Sequence, residues 1–295
     1  MSLSKSSKVK TLGKSSAIFT KTIVQMNDIS ASYDSKNYVL KDIKMSIDRG
    51  TNYAIVGHSG SGKSTLLKLI NGMMNPTRGK ILVDYQKPNT SDKKFKSFMH
   101  KIGYIPQNLG LIKNSTVLEN ILIGALPRVS GFNSFLKKFS DYEIDNAKKI
   151  LKQVGLEDKA DRKIYMLSGG EKRRVAIARA LVQKPEIVLA DEIVSELDHV
   201  TAREIMDVLA EAQATMKLTS IMVHHDLQLA ADHGLQILHV HQETRIAANR
   251  QHLAVRQGDF CSQAARQGEA HRTEAVRDQA GIGRVALVVA RDPHL

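Results

Sequence analysis

The chain has 295 residues, 42% of them apolar and 25% charged, a composition typical of a globular protein that can bury a large core. Its one cysteine excludes an internal disulfide and a cysteine-rich zinc site. No apolar run approaches the roughly 18–20 residues that span a membrane. The net charge of +13 is compatible with a nucleic acid, an anionic membrane surface or simple solubility.

The first 21 residues are rich in serine and lysine, and the first acidic residue of the chain is Asp28. This segment lacks the 7–15-residue apolar core of a secretory signal. A short polar segment cannot offset the entropy of its own ordering. We therefore expect residues 1–21 to form a basic, disordered arm.

Short apolar runs alternate with helical patterns from residue 22 to about residue 243. Four runs are apolar along nearly their whole length, which is typical of strands buried on both faces in a parallel sheet. The alternation of strands and helices indicates an α/β fold. The predicted strands are 53–56, 102–105, 187–190 and 220–223, and the clearest predicted helices are 64–71, 141–154 and 169–183.

A glycine-rich loop follows the first of these strands and fits the pattern G-x-x-x-x-G-K-[ST] between a strand and a helix. The glycines allow successive backbone N–H groups to point inward and bind an anion, and the next helix adds its positive dipole end. In this pattern Lys63 reaches the β- and γ-phosphates, and Ser64 is a ligand of Mg²⁺. The predicted nucleotide-binding residues are Gly57, His58, Ser59, Gly60, Ser61, Gly62, Lys63, Ser64 and Thr65.

Two adjacent carboxylates, Asp191 and Glu192, follow the run 187–190. Ligands of open α/β sheets bind in the crevice outside the carboxyl ends of the strands. Asp191 therefore suits the Mg²⁺ shell, and Glu192 is placed to act as the general base for a water that attacks the γ-phosphate. Without the neighbouring loop, such a pair would indicate only a solvated turn.

A third motif, Leu-Ser-Gly-Gly-Glu-Lys-Arg-Arg, occupies residues 167–174. Ser168 and Glu171 have the spacing of a capping box, which predicts a helix start and hence a second anion site. The string resembles the signature motif of the ATP-binding-cassette (ABC) ATPases, and the other motifs of that family occur in order over about residues 22–243. The signature residues that would contact nucleotide are Ser168, Gly169 and Gly170.

The resemblance implies further site residues. Tyr33 lies where the family has an aromatic residue that stacks on adenine, and Gln107 where it has a glutamine that senses Mg²⁺ and the transporter partner. Asp198 belongs to a segment similar to the D-loop. His225, rather than its neighbour His224, resembles the switch histidine at the γ-phosphate. The implied catalytic residues are Lys63, Gln107, Glu192 and His225, and the implied Mg²⁺ ligands are Ser64, Gln107 and Asp191.

The family resemblance also implies a P-loop NTPase (RecA-like) fold. A core with a mainly parallel sheet is expected to carry an antiparallel β subdomain and, at about residues 109–165, an inserted helical subdomain. Helices are expected there near 117–125, 135–139 and 141–154. ATP and Mg²⁺ are the implied ligands. Such domains work as head-to-tail homodimers, in which ATP on the P-loop of one copy contacts the signature motif of the other.

The ATPase subunit of a membrane transporter is the function that the resemblance implies. It would lie peripherally on the cytoplasmic side of the inner membrane, bind transmembrane permease subunits and interact indirectly with a substrate-binding protein. The run 124–139 is similar to that of phosphonate and phosphate importer ATPases, although methionine-uptake and lipoprotein-release ATPases have close patterns. A nucleic-acid partner is not expected, because the charge is diffuse and no DNA-binding pattern occurs.

Two departures from the family pattern leave an alternative function open. Ile193 replaces the proline usual after the catalytic glutamate, and Glu196 stands where the D-loop usually has a small residue. Added negative charge at a dimer interface predicts slower turnover. The alternative is therefore an ATP-controlled regulator of a membrane complex that hydrolyses little ATP.

The end of the chain has a different composition. All 27 lysines lie at or before Lys217, whereas the last 78 residues hold eight of the 11 histidines. Residues 244–295 are expected to form an atypical extension, and a polar tail and a segment of different coding origin are both open interpretations. Within it, the apolar run 285–290 predicts a buried strand or no element.

Overall fold

The computed structural model describes residues 22–34, 37–89, 92, 95, 98–128, 139–243 and 286–291. The arm expected at 1–21 lies outside these ranges, as do most of the extension expected at 244–295 and the first part of the helix expected at 135–139. Phe139, the last residue of that expected helix, belongs to no helix or strand.

The described residues form two sheets and several helices. The strands are β1 (Thr22–Ser32), β2 (Tyr38–Asp48), β3 (Asn52–Val56), β4 (Arg78–Val83), β5 (Ile102–Ile105), β6 (Ile187–Asp191), β7 (Thr219–His224), β8 (Gln236–Glu243) and β9 (Ala286–Arg291). The helices are α1 (Lys63–Ile70), α2 (Val117–Ala125), α3 (Asp141–Gln153), α4 (Gly169–Leu181), α5 (His199–Met216) and α6 (Leu227–Asp232). The four predicted strands and the helices predicted at 64–71, 141–154 and 169–183 are confirmed to within two residues.

Six strands form one sheet in the order β5–β6–β7–β3–β8–β9, and every neighbouring pair is parallel. Both faces of this sheet are buried. In β7, Met222 packs in the apolar core beneath the helices, whereas Ile221 and Val223 pack in the core on the opposite face. Because neither face meets water, these strands carry almost unbroken apolar runs.

The strand β9 extends this sheet beyond β8, with Ala286 opposite Leu238. Of the two alternatives for the run 285–290, the structure therefore favours a strand, which begins one residue later than the run. It is the part of the expected extension 244–295 that the structure describes beyond residue 243.

The strands β1, β2 and β4 form a separate antiparallel sheet in the order β2–β1–β4. Its inner face shares an apolar core with α1 and one face of the parallel sheet. Arg49, just after β2, pairs with Asp84 and donates from Nη1 to Glu186 Oε2 at 2.9 Å. This ion-pair network connects the antiparallel sheet to the start of β6.

The helices α2, α3 and α4 pack against one another on the other side of the parallel sheet. A Cβ at Gly124 of α2 would lie 2.1 Å from the Arg179 carbonyl oxygen, so glycine is required for this close approach to α4. None of the described helices is both long and apolar enough to cross a membrane. The predicted architecture, a mainly parallel sheet with an antiparallel sheet and helices, is confirmed. The bounds 109–165 for a helical subdomain stay a prediction.

Candidate nucleotide site

The glycine-rich motif 57–65 contains the loop between β3 and α1 and the first three residues of α1, at the carboxyl edge of the parallel sheet. A Cβ on Gly57 would lie 2.3 Å from the Val240 carbonyl oxygen. Gly62 has a φ of +96°, and a Cβ there would lie 2.6 Å from Leu40 Cδ2. Glycine at both positions lets the loop lie closely against β8 and β2. The exposed tip of the loop consists of His58, Ser59 and Gly60.

Lys63 is buried in the first turn of α1, and its ammonium group hydrogen-bonds to the backbone of the loop before this helix. Nζ donates to the carbonyl oxygens of Gly57 and His58 at 2.9 and 2.8 Å. Burial lowers the pKa of Lys63, and the nearby carboxylates of Glu192 and Asp191 oppose this shift. The buried Ser61 Oγ has no hydrogen-bond partner among the described residues. An unpaired hydroxyl and a buried ammonium in the same motif fit a phosphate group.

Ser64 and Asp191 meet across the end of the sheet. Ser64 Oγ donates to Asp191 Oδ1 at 3.0 Å. Burial raises the pKa of the Asp191 carboxyl, while the bond from Ser64 acts in the opposite direction. A hydroxyl and a carboxylate are the hard oxygen ligands that Mg²⁺ takes beside phosphates. Both residues therefore fit the Mg²⁺ role that the sequence assigned to them.

Three predicted catalytic residues meet at one carboxylate. Gln107 Nε2 donates to Glu192 Oε2 at 2.9 Å, and His225 Nε2 lies 2.7 Å from Glu192 Oε1. The residues follow β5, β6 and β7, which are neighbours in the sheet, so the fold gathers them at its carboxyl edge. Glu192 has a φ of +52°, a left-handed conformation that is uncommon for a residue with a side chain. Gln107, predicted also as a Mg²⁺ ligand, is here directed to Glu192 rather than to Ser64 or Asp191.

The two neighbouring histidines have different environments. The His225 side chain is half-exposed and contacts Glu192. His224 is buried, and its Nδ1 accepts from the backbone N–H of Asp226 at 2.8 Å. Its Nε2 has no partner among the described residues, and burial lowers the pKa of His224. The structure thus brings His225, and not His224, to the predicted general base.

Tyr33 lies beside the loop with 61% of its surface exposed. Its hydroxyl is 3.1 Å from Thr65 Oγ1, and Lys68 Nζ lies 5.4 Å from the centre of its ring. These contacts fix the ring next to the P-loop with surface available for stacking. No motif in the sequence points to Lys68. Its signal was weak: a lysine four residues after Ser64, on the same face of α1.

The signature motif begins α4 as predicted. The Ser168 hydroxyl accepts from Glu171 N at 3.2 Å, and the Glu171 carboxylate accepts from Ser168 N at 2.8 Å, which is a complete capping box. Asp198 caps α5 by accepting from Thr201 N at 3.0 Å. An open cleft of about 450 Å³ lies beside these two helix starts, and no residue of the loop 57–65 lines it. The predicted site residues that line it are Ser168, Gly169, Gly170 and Asp198.

The predicted residues therefore form two groups in this chain. One group contains the P-loop, Tyr33, Gln107, the two carboxylates and His225. The other contains the signature residues and Asp198. Each group has the chemistry of an anion site, namely backbone N–H groups at a helix start.

Comparison with known proteins shows the family of this chain. The family described as ABC transporter matches residues 40–195. The chain is 38% identical to the phosphonates import ATP-binding protein PhnC 2 of Synechococcus sp., over 70% of this chain and 78% of that protein. It is 37% identical to the phosphonates import ATP-binding protein PhnC of Bdellovibrio bacteriovorus, over 75% of this chain and 85% of that protein.

Solved structures agree with these relatives. The dimeric post-hydrolysis structure of the ATP-binding cassette MJ0796, bound to ADP and phosphate, matches with a TM-score of 0.64 and 33% identity, over 74% of this chain and 94% of that one. The structure of cbiO1 from Clostridium perfringens, part of the ABC transporter complex cbiONQ, matches with a TM-score of 0.67 and 28% identity, over 86% and 99% of the two chains. The P-loop NTPase fold is thereby confirmed, and this chain belongs to the ATP-binding proteins of the ABC transporter family.

Proposed function

We propose that this chain is the ATP-hydrolysing subunit of an ABC importer, with phosphonates as its cargo. The observation that carries the catalytic part is the position of Glu192, whose carboxylate is held by Gln107 and His225 beside the P-loop. A carboxylate fixed by two side chains at the carboxyl edge of the sheet is suited to activate a water molecule.

Several residues would bind the triphosphate. Backbone N–H groups of the loop 57–65, the Ser61 hydroxyl and the Lys63 ammonium would contact the phosphates, and the Tyr33 ring would stack on adenine. When bound by Ser64 and Asp191, Mg²⁺ neutralises charge on the phosphate oxygens.

Hydrolysis then needs one proton transfer. The oxygen of a water bonds to the γ-phosphorus, its proton passes to a Glu192 oxygen, and the bond between γ-phosphorus and the β-γ bridging oxygen breaks to give ADP and phosphate. Gln107 and His225 keep the Glu192 carboxylate oriented. His225 Nε2 must carry a proton to donate to that carboxylate, and with that proton it would also be able to donate to the γ-phosphate.

A head-to-tail dimer would complete each nucleotide site. The cleft at Ser168 and Asp198 contains no P-loop residue, so it is available to nucleotide held by a second copy. A two-fold axis makes both contacts equivalent. The dimeric state of the MJ0796 cassette supports this arrangement.

The relatives support the proposed cargo and location. The names of the Synechococcus and Bdellovibrio proteins support phosphonate import. Membership of cbiO1 in a transporter complex supports permease partners for this chain. We therefore place it peripherally on the cytoplasmic face of the inner membrane, bound to transmembrane permease subunits and acting indirectly with a substrate-binding protein.

Two measurements test this function. The purified chain should hydrolyse ATP, and the Lys63→Ala variant should not. Cells that lose the chain should lose uptake of labelled methylphosphonate and regain it with the intact chain but not with Glu192→Gln. Loss of methionine uptake instead would identify methionine as cargo, whereas loss of neither would contradict the proposed import of phosphonates.

One observation favours the ATP-controlled regulator as a second candidate. Glu196 is exposed in the segment between Glu192 and α5, with a φ of +64°. In a head-to-tail dimer this carboxylate would add negative charge at the interface, and like charges repel. If repulsion by Glu196 slows hydrolysis, the Glu196→Ala variant should turn over ATP faster than the parent. A variant that binds ATP and hydrolyses it at the parental rate would argue against the regulator.

A further inference from the structure

Arg173, in the first turns of α4, contacts the segment that carries the predicted general base. Its Nε donates to the Ile193 carbonyl oxygen at 2.6 Å, and its Nη2 donates to the Ser195 carbonyl oxygen at 2.7 Å. Its Nη1 lies 3.4 Å from the Gly169 carbonyl oxygen at the start of the same helix. One guanidinium thus connects the signature turn to residues 192–198, which we call the Glu192 segment.

The Glu192 segment depends on such contacts for its shape. Ser195 donates from both Oγ and N to the Glu192 carbonyl oxygen, at 2.6 and 3.2 Å, which forms a tight turn. Residue 193 is isoleucine, which lacks the fixed φ of a proline. The conformation that gives Glu192 its positive φ is therefore maintained by hydrogen bonds and by the buried Ile193 side chain.

The carbonyl oxygens of Ile193 and Ser195 need donors, and Arg173 supplies both. Two charge-assisted hydrogen bonds from one planar group fix direction as well as distance. Burial lowers the pKa of Arg173, and the Glu196 carboxylate opposes this shift. The guanidinium keeps its charge at neutral pH, so it also places a positive charge near Glu196.

We propose that Arg173 is a positioning residue for Glu192, which holds the general base in place by clamping the Ile193 and Ser195 carbonyl groups. The inference rests on the hydrolytic role of Glu192 proposed above. Because Arg173 also lies against Gly169, it connects the cleft at the start of α4 to Glu192 of the same chain. In a head-to-tail dimer these two places serve different ATP molecules.

Steady-state hydrolysis by the full chain tests the proposal. Arg173→Met removes the donors but keeps an unbranched stem. Displacement of a catalytic group by about 1 Å costs about 100-fold in rate, so we expect kcat to fall about 10- to 100-fold with little change in KM. Arg173→Lys retains one ammonium, which can reach one carbonyl oxygen at a time, and should lie between Met and the parent.

The matched control is Arg203→Met, which removes the same charge from an exposed ion pair with Asp232. It should keep the kcat of the parent chain. A folded Arg173→Met variant with parental kcat, or one that raises KM alone, would overturn the proposal. If Arg173→Met does not fold, the folded Arg173→Lys variant decides in the same way. A parent chain without ATPase activity would instead refute the proposed function itself.

Discussion

Replacement of Glu192 by glutamine removes the proposed proton acceptor of the site but keeps the size of the side chain. The amide has the size of the carboxylate but cannot accept a proton from water at neutral pH. Gln107 Nε2 donates to one carboxylate oxygen at 2.9 Å, and His225 Nε2, when it carries a proton, donates to the other at 2.7 Å. In the variant the side-chain oxygen keeps one of these donors, and the Gln107 amide can rotate to accept from the new NH₂ group. The surrounding geometry should therefore survive.

The expected loss can be stated as a rate. General-base catalysis contributes about 10²- to 10⁴-fold, or roughly 3–5 kcal/mol of activation free energy. We expect kcat to fall within this range. The cost in folding stability should be about 1 kcal/mol, because one charge-assisted bond becomes a neutral one. ATP affinity at the P-loop should change little, since Glu192 is not among the residues that would bind the phosphates.

Single-turnover hydrolysis and solution mass give the two readouts. Without Mg²⁺, the Glu192→Gln variant should bind ATP and shift from monomer to dimer, while its hydrolysis with Mg²⁺ is slow. The control is Glu211→Gln, which removes the same charge from an exposed position of α5. A Glu192→Gln variant that hydrolyses ATP within about threefold of the parent would remove Glu192 as the general base.

Three further predictions use other parts of the site. Lys63→Ala should weaken ATP binding by about 10- to 100-fold in a fluorescent-nucleotide titration, because a charge-assisted bond of roughly 1.5–3 kcal/mol is lost. Ser168→Arg should bind ATP as a monomer and fail to dimerise, whereas Ser140→Arg, which alters the equivalent N-cap of α3, should dimerise. Burial lowers the pKa of His224 from 6.5, so as the pH falls the His224 ring is protonated in the unfolded chain before it is protonated in the folded chain. The free energy of unfolding should therefore decrease as the pH falls below about 6.5. His224→Asn, which can still accept from the Asp226 N–H, should show a weaker decrease in urea denaturation. An unchanged pH dependence would contradict this origin.

The sequence was sufficient for the parts of the molecule whose physics is local. Burial on both faces makes apolar runs, and all four predicted parallel strands are confirmed. The P-loop and the capping box at Ser168 depend on spacings of a few residues, so their patterns are visible in one chain. The strands β5, β6 and β7 are parallel neighbours, so the side chains that follow them lie together at one edge of the sheet.

Other features depend on contacts that leave no pattern in the sequence. Arg173 donates to backbone carbonyl groups 20 and 22 residues further along the chain, and any residue type offers such an acceptor. Tyr33 is fixed by Thr65 and Lys68, which lie 32 and 35 residues away. The partner of β9 could not be predicted either, because pairing with β8 depends on which sheet edge is open.

The division of the site into two groups follows from where the fold places its helix starts. The P-loop precedes α1 at the end of β3, which is flanked by β7 and β8, whereas the signature residues begin α4, which packs beside α2, α3 and β5. Both helix starts have the same capacity to bind an anion. Only the first lies beside the carboxylates of β6 and can hydrolyse what it binds. In the proposed dimer a second copy of the chain would bring its signature turn to the nucleotide, and Arg173 connects that turn to the residues just after the proposed general base of its own chain.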